Sequence, residues 1–201
     1  TAALNKSMNE SICVRCGRCV DVCPTGAIYM KEHIDQMVFY AHNYDSKTIG
    51  MVSASVLPDL EKLYKMEPGN LDGHKVIAGL KKLGVDCIIS EEQVNFIDLY
   101  YPELSNKVVY YESLQETFAK EAKEFVSRLN YDSDKYKTVV FTGNNENGAE
   151  AVEKGTVDFS MNAREIYRMF KRTGIDVNRM KTVDALKTEM DKEYAFSAVT
   201  A

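Results

Sequence analysis

Histidine is scarce in this chain, basic residues are outnumbered, and long apolar runs are missing. The three histidines, His33, His42 and His74, stand apart, and no two have the spacing of a metal-ligating pair, so an imidazole-built centre is not expected. Lys and Arg total 25 against 30 Asp and Glu, a formal charge of −5 with a pI near 5.3. That balance argues against nucleic acid as the main partner, because such proteins present a basic face. No apolar run approaches the roughly 18 residues that a membrane-crossing helix needs. Residues 1–10 lack the basic-then-apolar pattern of a secretory signal. No low-complexity tract and no internal repeat is visible. Cysteine is limited to five residues. They include no second, separated pair of the kind that a structural zinc site uses, and they do not suit the disulfide framework of a small secreted chain.

What cysteine there is lies almost all in one place. Cys13, Cys16, Cys19 and Cys23 fall in eleven consecutive positions, followed by Pro24, with the spacing C-x2-C-x2-C-x3-C-P. This is the bacterial-type iron–sulfur run. Thiolates two residues apart on a turning backbone reach separate corners of one cubane, and Gly17 lets the backbone curl toward the inorganic sulfides. Pro24 stops the turn from continuing as a helix. All four cysteines are the expected ligands of one [4Fe-4S] cluster, with two destinations open for Cys23. It either closes that cluster or, as in two-cluster modules, ligates a second whose other ligands come from preceding sequence or a partner chain. Free thiols at this spacing point to a reducing cytoplasm. Arg15 and Arg18 flank the run; they either tune the cluster and guide an acidic donor or are ordinary loop charges.

A length of 201 residues with 45% hydrophobic content supports one domain plus a small module. We divide it into a ferredoxin-type module over 1–42 and an α/β domain over 43–201. Within the first, a helix is expected from about Glu32 to His42. Short apolar runs at Thr48–Ser53, Val85–Ile89, Lys137–Thr142 and Val157–Ser160 read as buried strands. Helices are expected from Pro58, over His74–Leu83 with Gly84 as its cap, over Glu91–Tyr101, from Ser113 to about Leu129, over Ala163–Arg172 and over Thr182–Glu193. Val108–Tyr111 reads as extended. Alternation of strands and helices favours a mostly parallel sheet flanked by helices. Gly143–Gly148 reads as a loop at a strand end. It is either a plain polar turn or a remodelled pocket, since open α/β sheets place ligands there. Glu91, Glu92 and the carboxylates of 120–124 read as solvated surface. The tyrosine pairs 100–101 and 110–111 read as core or interface packing, and Cys87, in an apolar strand, as a small buried hydrophobe.

The order of these pieces resembles the catalytic subunit of [FeFe] hydrogenases. The segment 16–27, Cys-Gly-Arg-Cys-Val-Asp-Val-Cys-Pro-Thr-Gly-Ala, is similar to that family's last cluster loop. Met51–Val56, Ile77–Asp86, Tyr100–Leu104, Ser113–Phe118 and Thr156–Glu165 with Gly174–Asp176 resemble successive pieces of its catalytic domain. The resemblance implies a hydrogenase-like α/β fold across about 12–200. It also exposes departures. The family holds its active-site cluster with cysteines in three places. Where the first is expected, this chain reads Ile89-Ser90-Glu91-Glu92-Gln93-Val94-Asn95-Phe96; where the second is expected, it reads Phe141-Thr142-Gly143-Asn144-Asn145-Glu146. The third belongs to a C-terminal region outside this sequence. Iron in such a cluster needs soft thiolate donors, which Asn and Glu do not supply. The expectation is therefore an iron–sulfur electron-transfer or redox-sensing protein without catalytic residues of its own. Its expected partner is a ferredoxin, a flavoprotein, a hydrogenase-type complex subunit or a signalling protein. The alternatives are a subunit or fragment of an active, oxidoreductase-type iron hydrogenase, found in anaerobic metabolism, and a structural module of a redox complex.

Overall fold

The computed structural model describes residues 13, 19, 22–25, 27–28, 32–43, 45–90, 114–129, 132, 135–143 and 145–180. The helices expected over Glu91–Tyr101 and Thr182–Glu193, the extended Val108–Tyr111 and both tyrosine pairs lie outside these residues. Four strands are β1 (Lys47–Val52), β2 (Cys87–Ser90), β3 (Tyr136–Phe141) and β4 (Phe159–Met161). They form a parallel sheet in the order β2-β1-β3-β4. β1 and β3 are almost wholly buried, which is why they read as continuous apolar runs and not as alternating ones. Their pairing is in full register from Lys47 opposite Tyr136 to Val52 opposite Phe141.

Six α-helices among the described residues flank the sheet: α1 (Ile34–His42), α2 (Leu57–Tyr64), α3 (Gly73–Leu83), α4 (Leu114–Arg128), α5 (Asn145–Glu153) and α6 (Ala163–Arg172). Local sequence fixes several of their ends. Pro58 sits in the first turn of α2, where its missing N–H has no partner to lose. The Asp72 carboxylate accepts the His74 N–H at the start of α3. Asn162 and Glu165 form a reciprocal capping box on α6. Gly84 ends α3 with φ +116°, and its α-carbon faces the Ala41 carbonyl so closely that a Cβ would lie 2.2 Å from that oxygen.

β1 leads through α2 and α3 to β2, on one side of the sheet's centre; β3 leads through α5 to β4, on the other. Crossovers of one hand that run in opposite directions must lie on opposite faces. The two cores obey this. One face packs Ile34 and Met37 of α1, Leu60 of α2, Leu80 of α3, and Ile166 and Phe170 of α6 against Phe141 and Met161. The other packs Phe118, Ala122 and Val126 of α4 and Ala151 of α5 against Ile49, Met51, Cys87 and Val140. Each fully buried large side chain contributes about 1.5–3 kcal/mol. Gly50 permits one of the close contacts, since a Cβ there would meet the Phe141 ring at 2.9 Å. α1, placed with the N-terminal module on sequence grounds, contributes Ile34 and Met37 to the first core at 1% and 0% exposure.

The two strand–helix–strand units repeat a detail that no sequence repeat announces. In the first, Asp86 just before β2 receives the Lys47 ammonium at 3.0 Å, the Thr48 N–H at 2.8 Å and the Thr48 hydroxyl at 3.2 Å. In the second, Asp158 just before β4 receives the Lys137 ammonium at 3.0 Å, and the Thr138 N–H and hydroxyl both at 2.9 Å. Each aspartate returns its own backbone N–H to the threonine carbonyl. A Lys-Thr pair opening a central strand is thus pinned to the aspartate that opens the neighbouring edge strand.

Candidate functional site

The cysteine run lies N-terminal to α1. Cys13 and Cys23 are half-buried and Cys19 is exposed, and all three are free thiols; Cys16 lies outside the described residues. Among the described residues no three His, Cys, Asp or Glu side chains converge on a point that would hold a metal ion. The chemistry of the donors nonetheless suits iron and sulfide. The Cys23 thiol is pulled down to about 7, chiefly by the Thr25 hydroxyl 3.5 Å away and then by the Ile28 backbone N–H, with smaller help from the N–H groups of Ala27 and Thr25. The turn after Pro24 therefore aims donors at this sulfur and favours the thiolate, the form that ligates iron. Val22 and Ile28 put apolar surface beside it, at 77% and 40% exposure.

Downstream, the chain is tied to α6 around the start of α1. The Glu165 Oε1 accepts the His33 N–H at 3.2 Å, while its Oε2 accepts the Asn162 N–H at 2.9 Å. Arg168 pairs with Glu32, and Arg172 with Asp35 at 3.3 Å. Glu165 is 6% exposed, and burial raises its carboxyl above the ordinary glutamate range despite those two N–H donors.

Open α/β sheets bind ligands where the direction of winding reverses. Here that switch point lies between the carboxyl ends of β1 and β3. The Ser53 N–H donates to the Phe141 carbonyl at 2.9 Å. The Ser53 and Ser55 hydroxyls are 2.8 Å apart, and the Gly143 N–H donates to the Ser55 hydroxyl at 3.0 Å. Thr142 is 2% exposed. A Cβ on Gly143 would lie 2.3 Å from the Ser55 carbonyl oxygen. Among the described residues, hydroxyl and backbone contacts link the two strand ends here, and no thiol lies beside them.

The loop expected over Gly143–Gly148 needs correction: α5 begins at Asn145. Gly148 lies against β4, where a Cβ would meet the Ser160 hydroxyl at 2.0 Å. Close approach to the sheet, rather than local helix preference, holds this turn-like sequence helical. Cys87 lies in β2 at 1% exposure, within the apolar core. The histidines are engaged locally: His33 with the Gln36 amide oxygen, His42 with the Val38 carbonyl and His74 with Asp72, each at 2.8–2.9 Å. The ties to α6 left no signal in the cysteine spacing. The one trace was the Asn162-x-x-Glu165 pattern, a helix-start signature.

Comparison with known proteins adds to this geometry. A family model for a 4Fe-4S binding domain matches residues 7–29, and the model for the iron only hydrogenase large subunit, C-terminal domain, matches residues 89–200, more than half of the chain. The NADP-reducing hydrogenase subunit HndD of Solidesulfovibrio fructosivorans is 31% identical over 106 residues, covering 48% of this chain and 18% of that protein. The NAD(P)H-quinone oxidoreductase subunit I of Gloeobacter violaceus is 31% identical over 85 residues, covering 39% of this chain and 41% of that one. Among solved structures, the [FeFe]-hydrogenase HydA(deltaEFG) superposes with a TM-score of 0.60 at 16% identity over 76% of this chain and 49% of its own. Apo HydA1 of Chlamydomonas reinhardtii gives 0.61 at 14% over 76% and 50%. The chain thus spans less than half of each relative and about half of these structures. The expected hydrogenase-like α/β fold, with an iron–sulfur module at its N-terminal end, is the one observed. Taken together, the cysteine run and these matches give the chain an iron–sulfur redox role, and it belongs to the family of the iron only hydrogenase large subunit, C-terminal domain.

Proposed function

We propose that this chain is an electron-transfer or redox-sensing protein that carries one [4Fe-4S] cluster on a hydrogenase scaffold without the hydrogen-activating centre. The single observation that carries the reading is the run Cys13, Cys16, Cys19, Cys23, with the Cys23 thiol lowered to about 7 by donors from the following turn. These four residues would hold the cluster, which supplies one-electron chemistry when bound. The chain's own part is to present four thiolates, to direct N–H and hydroxyl donors at sulfur and to keep the segment against the body. Support for the missing second centre comes from the switch point. The segments expected to bring thiols there read Ser90-Glu91 and Thr142-Gly143-Asn144, and Ser53, Ser55 and Gly143 tie the described part of the crevice together. Its partner is another redox subunit, by analogy with relatives named as subunits of a hydrogenase and a quinone oxidoreductase. Its setting is a reducing cytoplasm in anaerobic metabolism.

Anaerobic purification, iron and sulfide quantitation and electron paramagnetic resonance test this. The expected result is about four irons per chain, as the cubane requires, a signal on reduction and no hydrogen turnover. Zinc or no metal at the cysteines overturns the reading. Extra iron with carbonyl and cyanide infrared bands overturns it in favour of an active hydrogenase.

A further inference from the structure

Glu165, Arg168 and Arg172 are spaced three and four residues apart, so they share one face of α6. All three reach the same short stretch: Glu165 the His33 backbone N–H, Arg168 the Glu32 carboxylate and Arg172 the Asp35 carboxylate. That stretch begins nine residues after Cys23. The His33 ring also packs on Phe159 of β4, with centroids 5.6 Å apart. The base is firmly packed, because Ile166, Met169 and Phe170 on the adjoining, core-facing side of α6 are all at 0% exposure. The Arg168–Glu32 pair is partly exposed and Asp35 is almost fully exposed, so each ion pair would be weak alone. Around a buried carboxylate that accepts a backbone N–H, they act on one segment together.

From this geometry we infer that the Glu165–Arg168–Arg172 face of α6 is a clasp that positions the cysteine-bearing segment and sets how firmly it keeps its cluster. The inference rests on the proposed cluster at Cys13, Cys16, Cys19 and Cys23. Arg168 and Glu165 are positioning residues, since they touch the segment and not the metal. Holding residues 32–35 restricts the turn that aims the Thr25 and Ile28 donors at Cys23. Releasing them lets that turn fluctuate and admits competing ligands.

The test uses the full chain reconstituted anaerobically with iron and sulfide. Two readouts are followed: transfer of iron to a ferrous chelator, and hydrogen exchange of the amides of 25–33. R168E and E32R each place like charges where a pair stood, and leave the α6 capping box alone. Each is expected to lose iron about three- to fivefold faster and to exchange faster, the range that a partly exposed pair allows. The swapped double variant E32R/R168E is expected to restore both. Single variants that match the wild type in both readouts overturn the clasp. So does a double variant no slower than the singles, because Arg168 would then matter only to α6 itself. A wild-type chain that takes up no iron overturns the cluster reading instead. That result is distinct from one in which iron is held but its loss ignores the swap.

Discussion

At the scale of single residues, Cys23 and Cys87 show how surroundings divide two identical side chains. Cys23 is met by a hydroxyl and several N–H groups and is drawn toward the thiolate; Cys87 is enclosed by apolar neighbours in β2. In the iron-free protein, alkylation of Cys23 is expected to reach half its maximal rate near pH 7, because the reactive thiolate dominates above the lowered value. Thr25→Val removes the largest stabiliser of that anion, so the midpoint should move upward toward that of an ordinary thiol, slowing the reaction at neutral pH. A midpoint unmoved in a pH–rate profile would contradict this. Cys87→Ala should leave the iron content of the reconstituted protein unchanged. It should cost about 1 kcal/mol in chemical denaturation, comparable to deleting one buried methyl-sized group. The cysteine spacing made the first residue legible from sequence alone. Glu165 was not legible as a contact of His33, because the two stand 132 positions apart and local spacing records only neighbours.

Among the elements, those whose apolar periodicity comes from their own residues were the readable ones. β1, β2 and β3 were visible as apolar runs, and α3 as the face made by Val76, Leu80 and Leu83, closed by Gly84. α5 was hidden because its sequence is rich in Asn, Glu and Gly and its helical state depends on contact with β4. The Gly84 turn offers a direct test of element packing. Gly84→Ala puts a methyl group into a left-handed turn and against the Ala41 carbonyl. It should therefore lower stability by about 1–3 kcal/mol, read as a reduced denaturation midpoint with an unchanged slope. A neutral substitution would mean that α1 yields readily from the end of α3.

For the molecule as a whole, the paired pins explain why the two halves share one sheet. Asp86 and Asp158 hold the edge strands to the central ones at the same end, with equivalent partners. Asp158→Ala removes the carboxylate that accepts from the Thr138 N–H and the Lys137 ammonium and should cost about 1–3 kcal/mol. Hydrogen exchange should show β4 opening while β1 and β3 stay protected. Equal loosening of all four strands would show that the sheet opens as one unit instead. This architecture was inferable from sequence only as a parallel α/β class. The order β2-β1-β3-β4 depends on β1 pairing with β3 across nearly half the chain, which no local pattern specifies.

That long-range pairing has a temporal consequence. Val52 meets Phe141 in the sheet's centre, so a nascent chain exposes β1 without its middle neighbour until roughly 90 further residues have been made. At about 5–20 residues per second this lasts on the order of 5–20 s. The four thiols leave the ribosome before that wait begins, and the surface of α6 that grips their segment leaves it only afterwards. Iron and sulfide delivered during synthesis would thus meet the cysteines before their anchor exists.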